Sequence, residues 1–185
     1  MRVEIRPLDQ IAKRWGTALL ALSDGQARKA MARAMTAEGR PTFAAVKKAL
    51  RTQTSIPTGI IRAGTSFKGA GASDLTTIIT GTGRPLSLKL FKPRQFSYGV
   101  RATVWGRAQK YPGMFMGPRP GVLAPKLGGH PFVRESKSRL PIDRGYGPSI
   151  PVEIVKDASR AAFEASPPRI VERIGREIAK VLAGY

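Results

Sequence analysis

Leu8, Ile11, Trp15, Leu19 and Leu22 recur at intervals of three and four, the spacing that lays apolar side chains along one face of a helix. After a polar break at Ser23, Asp24 and Gly25 the same period continues through Ala27, Met31, Ala34 and Met35, and again through Phe43, Val46 and Leu50. Gly39 and Pro41 stand between these two runs. Pro41 predicts a kink or interruption, because proline lacks the donor for the preceding turn and its ring clashes with it. Residues 1–52 therefore predict helices whose stripe faces a core or a subunit interface.

Residues 54–64, with Pro57 and Gly59, predict a turn and one short helical piece, and residues 64–73 predict a Gly/Ala/Ser loop. The period then changes. Residues 75–80 are β-branched; Leu86, Leu88 and Leu90 alternate with Ser87 and Lys89; Val100, Ala102 and Val104 alternate with Arg101 and Thr103. These predict strands of an antiparallel sheet, the last turning Arg101 and Thr103 outward, since successive side chains of a strand point to opposite faces. Met114, Phe115 and Met116, set among prolines and glycines in residues 111–129, predict a strand followed by an extended loop or hairpin tip, with residues 131–135 as the returning strand. Residues 140–151 predict a proline- and glycine-rich crossing.

The C-terminal helix is expected from about Pro151, with a break around Ser166, Pro167 and Pro168, because prolines fit a helix's first turn far better than its interior. Ile170, Val171, Ile174, Ile178 and Leu182 form its apolar stripe, opposite Glu172, Arg173, Arg176, Glu177 and Lys180. The expected fold class is α+β, with one small antiparallel sheet of about four strands packed with N-terminal helices and a C-terminal helix. A single domain is expected over residues 1–185, comprising a helical part (1–52), a strand-rich part (53–150) and a C-terminal helix (151–185).

Charge changes this picture most. The chain carries 32 Lys and Arg against 12 Asp and Glu, a formal net charge of +20. Residues 53–150 hold 15 basic and 3 acidic side chains, whereas residues 151–185 hold 6 and 5. The acidic residues that normally balance a solvated basic face are missing from the strand-rich part, which points to a phosphate-bearing or acidic partner. Apolar runs are too short to span a bilayer, and Glu4 and Asp9 interrupt any signal-peptide core, so a soluble protein without membrane partners is expected.

Candidate chemistry is sparse. The absence of cysteine excludes disulfides, thiolate metal sites and cysteine nucleophiles. His130 alone cannot form a metal site, and a structural or solvent-exposed role is expected. Asp74, Glu135 and Asp143 are isolated in sequence; they could form a catalytic pair only by folding together, and pairing with neighbouring Lys and Arg is the expected role. The Gly-x-Gly elements at Gly69–Gly71 and Gly81–Gly83 complete no nucleotide-binding fingerprint, and no Gly-x-Ser-x-Gly elbow occurs. No enzymatic activity, cofactor or metal is expected. Phe91, Lys92, Arg94, Phe96, Tyr98, Arg101 and Trp105 interleave aromatic with basic residues and could stack bases; the expectation is that the Phe and Trp rings fill the core instead.

Two stretches carry a resemblance. The first runs Arg84, Pro85, Leu86, Ser87, Leu88, Lys89, Leu90, Phe91, then Arg94 and Gln95, and later Gly99 and Val100. The second is Phe132, Val133, Arg134, then Lys137, Arg139, Leu140, Pro141, Ile142, and finally Gly147, Pro148, Ser149, Ile150, Pro151. Together they resemble the prophage minor tail protein Z family of long-tailed bacteriophages: a Pro-Leu-x-x-Phe element leading through Arg-Gln into a Gly-Val strand, then Arg-Leu-Pro-Ile and Gly-Pro-Ser-Ile-Pro signatures. The order of elements agrees over most of the chain.

The resemblance implies a non-catalytic structural virion protein at the head–tail neck, present in the host cytoplasm during assembly. It implies a homo-oligomeric ring, with sixfold symmetry as the family-level expectation. Neighbouring head–tail connector and tail terminator or tail-tube proteins, and non-specifically held double-stranded DNA, would be the partners. Arg84, Lys89, Lys92, Arg94, Arg101, Arg107 and Lys110 are the candidate DNA- or partner-facing residues. Phe132, Leu140, Pro141, Ile142, Pro148, Ile150 and Pro151 are the candidate subunit contacts. The alternative is a free-standing basic nucleic-acid-binding protein of ribosomal or chromatin-associated kind; a third reading, an enzyme with a dispersed site, would need turnover that depends on Glu135 or Asp143.

Overall fold

The computed structural model describes residues 2–5, 24–122 and 124–183. The expected stripe from Leu8 to Leu22 lies outside them. Helix α1 (Asp24–Thr54) runs for 31 residues, followed by α2 (Thr58–Gly64). Alanine, the residue that pays least to enter a helix, fills α1, and its Ala27, Ala30, Ala34 and Met35 are buried.

Pro41 does not interrupt α1. It lies on the exposed side, where water can satisfy the carbonyl it deprives of a donor, and the buried positions Met35, Thr42, Val46 and Leu50 anchor both flanks. Gly39 is no break either. A Cβ there would stand 2.9 Å from the Phe67 ring and from Thr77 Cγ2, so glycine lets the helix cross the first sheet at close range.

That sheet has the order β1-β3-β2, all antiparallel, from β1 (Arg2–Ile5), β2 (Thr65–Lys68) and β3 (Thr77–Gly81). β2 replaces part of the loop expected over 64–73: Thr65, Ser66, Phe67 and Lys68 pair with Gly81, Thr80, Ile79 and Ile78. Residues 86–90 do not form the expected strand. Leu86 and Leu88 donate backbone N–H to Pro148 and Gly145, and the chain then coils into a 3-10 turn, Leu88–Phe91, burying Leu88 and Phe91 while leaving Leu90 39% exposed.

The second sheet is the meander β4 (Arg94–Phe96), β5 (Gly99–Val104) and β6 (Arg107–Pro112), the first and last not foreseen from the sequence. The third pairs β7 (Phe132–Arg134) with β8 (Ile142–Arg144), which lies within the segment expected to be a crossing. The Met114–Met116 stretch contributes only a bridge from Phe115 to Phe132. Among the described residues, strands are thus divided among three small sheets rather than gathered in one.

Three helices close the chain: α3 (Ile150–Glu153), α4 (Asp157–Glu164) and α5 (Pro167–Ala183), with the break where Ser166 and the two prolines predict it. Ile170, Ile174 and Ile178 of α5 are fully buried against Met31, Ala34 and Met35 of α1, and Glu38 takes Arg169 at 3.0 Å and Arg173 at 3.6 Å across the same contact. Gln53 joins α1 to α3 and α4: its Nε2 donates to the Glu153 carbonyl and carboxylate, both at 3.2 Å, and its Oε1 accepts from the Ser159 N–H and hydroxyl. The fold is α+β, with the meander tied through its β5–β6 turn to the end of α1.

Candidate nucleic-acid interface

β5 faces the core with Val100, Ala102 and Val104, all at most 2% exposed, and faces solvent with Arg101 and Thr103, as the alternation requires. The β5–β6 turn places Trp105 at φ 51° and Gly106 at φ 71°, the left-handed pair that matches the twist of a two-residue hairpin. This turn is tied to the end of α1, with Trp105 N–H donating to the Thr54 carbonyl at 3.3 Å and Gly106 N–H to Ser55 Oγ at 3.0 Å. The meander is therefore anchored to a 31-residue helix.

Its register decides the surface. Arg94 pairs with Arg101, and Arg101 with Lys110, so three cations from three strands stand in one row on the solvent face. Cross-strand neighbours lie about 5 Å apart at Cβ, and like charges there repel. Among the described residues none of the three has an ion pair; the acidic groups that do form pairs hold Lys68, Arg160, Arg169, Arg173, Arg176 and Lys180.

Phe96 shares the outward parity of Arg94. Its ring stacks on Tyr98, with centroids 5.4 Å apart and planes 3° from parallel, and Lys110 Nζ lies 5.4 Å from the Tyr98 centroid. Phe96 is 37% exposed, Tyr98 41% and Trp105 38%, whereas Phe91 is buried. Core filling thus holds for Phe91 and fails for Phe96, because β4 turns Gln95, not its neighbours, inward, and for Trp105, because it sits in the β5–β6 turn. Gln95 Oε1 accepts from the Met116 N–H at 2.7 Å and the Gly117 N–H at 2.9 Å, while its Nε2 donates to the Gly117 carbonyl at 3.2 Å, so it holds the following loop under the sheet.

The other expected facing residues are dispersed. Lys92, left-handed at φ 50°, joins Lys48, Arg51 and Thr103 in lining a groove of about 800 Å³ between the end of α1 and the 3-10 turn. Lys48 and Arg51, three residues apart on the exposed side of α1, were not foreseen as site residues, although their spacing was visible. Arg107 pairs with Val104 and so has inward parity, and it is exposed only because it sits at the hairpin end. Lys89 lies beside His130 instead, and Arg84 is exposed on the connection after β3.

His130 Nδ1 is 2.8 Å from Ser87 Oγ. Desolvation, together with the charges of Arg144 and Lys89, lowers its pKa and so favours the neutral imidazole, which fits the expected structural role. Asp74 pairs with Lys68 at 3.7 Å. Among the described residues Glu135 and Asp143 form no ion pair with the bases expected; the β7–β8 hairpin brings them together, and a hydrogen bond with Asp143 raises the Glu135 pKa. No group of three or more His, Asp or Glu could hold a metal ion among the described residues.

Of the expected subunit contacts, Leu140 is 67% exposed and Pro141 is also exposed, Phe132, Ile142 and Pro151 are half-buried, and Pro148 and Ile150 are buried. Ile150 packs with Leu50, Ile61 and Leu88, so it serves the chain's own core instead of a neighbour. No described helix is long and apolar enough to cross a membrane. Compared with protein-family models, curated proteins and solved structures, the chain matches none.

Proposed function

We propose that this chain is a structural subunit of a tailed-phage particle, acting at the head–tail neck as a homo-oligomeric ring, with its β4–β6 face turned toward genomic DNA. The observation that carries the DNA-facing part is the Arg94–Arg101–Lys110 row: a cost in the free protein that a phosphate backbone relieves. A ring would repeat that row around a channel and hold DNA without reading its sequence. Placement at the neck rests on the resemblance carried by the segments around residues 84–100 and 132–151.

Cryo-electron microscopy of intact particles tests the placement directly. A ring of this chain between portal and tail is expected, and its absence from the neck overturns the reading. Isolated protein should bind duplex DNA with an affinity that falls steeply with salt, by a slope of about 0.9 per phosphate neutralised. A strictly monomeric protein that binds nucleic acid tightly would instead support the free-standing alternative.

A further inference from the structure

We infer that the Phe96–Tyr98 stack receives unpaired bases, so that the β4–β6 face prefers single-stranded nucleic acid to duplex. This rests on the reading that the face meets nucleic acid, and it adds the class of ligand. A basic row alone cannot discriminate, since both forms offer phosphates. Exposed aromatic planes can, because a duplex already stacks its bases and presents only their edges in the grooves, whereas a single strand can lay a base against a ring.

The geometry suits this division of labour. Strands lie about 4.8 Å apart, so Arg94, Arg101 and Lys110 form a cationic track about 10 Å long across the sheet. Phe96 lies two residues from Arg94, about 6.7 Å further along β4. Its register partner Gly99 presents no side chain, so the ground beside the ring pair stays low. A backbone following the cations can therefore drop a base onto a pair of rings that already lie 3° from parallel. Neither ring is held by the core, as both are more than a third exposed.

The test is fluorescence anisotropy of the full chain with a labelled thymine oligonucleotide and with a blunt duplex of equal length, with polyglutamate as a competitor. Tighter binding of the single strand is expected. Phe96→Ala and Tyr98→Ala should each weaken it about 5- to 150-fold, the range for losing one base–aromatic stack, and leave duplex affinity within about twofold. Tyr98→Phe should retain the preference. Photo-crosslinking of a 5-bromouridine oligonucleotide to the unsubstituted protein should map to Phe96 or Tyr98, which covers the case of an alanine variant that does not fold. Equal affinity for both forms with a steep salt dependence would overturn the stacking inference and leave the neck reading standing. Absence of binding to either form, or displacement by polyglutamate at equal charge, would overturn it together with the DNA-facing part of that reading.

Discussion

Replacing Arg101 by glutamine should make the free protein more stable and its nucleic-acid complex weaker. Arg101 stands between Arg94 and Lys110 in register, so the substitution removes two like-charge cross-strand pairs at once. Each pair costs about 0.2–1 kcal/mol, and the exposed setting favours the lower half of that range, so the relief is about 0.5–1 kcal/mol at low ionic strength. For a chain of this size that corresponds to about 1–4 °C in melting temperature. Glutamine keeps part of the aliphatic stem, so lost packing is small. Arg101→Glu turns both repulsions into attractions and should gain about twice as much.

The assay is thermal unfolding of the unsubstituted, Arg101→Gln, Arg101→Glu, Arg94→Gln and doubly substituted proteins at low salt and at about 1 M, where the Debye length falls to about 3 Å and the gain should vanish. The double variant measures coupling directly, since relief of the Arg94–Arg101 pair cannot be counted twice. In parallel, the salt slope of DNA binding should fall by about 0.9 for Arg101→Gln. An Arg101→Gln protein no more stable than its parent at low salt, or a gain that persists at high salt, would refute the idea that the row stores repulsion.

Gln95→Ala should cost about 2–4 kcal/mol in urea unfolding, because the buried Met116 and Gly117 N–H groups lose their acceptor; Gln95→Glu keeps that acceptor and should cost less. Gly99→Ala should destabilise by at least about 2 kcal/mol, as measured by thermal melting, since φ is +140° there and a Cβ would run into the Tyr111 carbonyl oxygen. The Glu135 pKa is raised, so the pair with Asp143 favours the folded state below the ordinary carboxylate range and loses that contribution as pH rises through the raised value. Carboxyl titration by NMR should show Glu135 returning toward its ordinary value in Asp143→Asn; an unmoved titration would refute the pairing.

Alternation in residues 100–104 correctly forecast the inward and outward faces of β5, because side-chain direction in a strand is a local property. The stripe Ile170, Ile174, Ile178 likewise forecast the packed face of α5, and the paired prolines its start. Leu86, Leu88 and Leu90 misled for the opposite reason. Their alternation is compatible with a strand, but hydrogen bonds to Gly145 and Pro148, about 60 residues away, decide the geometry by turning the chain after Leu88. Gly39 and Pro41 look like a helix stop until a sheet crosses at the glycine and solvent accepts the proline.

The candidate site follows the same division. Its excess of positive charge, and the outward direction of Arg101, are properties of the sequence by itself. That Arg94, Arg101 and Lys110 form one row, that Phe96 and Tyr98 stack in the open beside it, and that Lys48, Arg51 and Lys92 share a groove were decided only by tertiary structure. Periodicity acts over a few residues, whereas strand register and the docking of a hairpin on a helix depend on hydrogen bonds and packing between residues far apart in the chain, and those contacts assign each charge its neighbours.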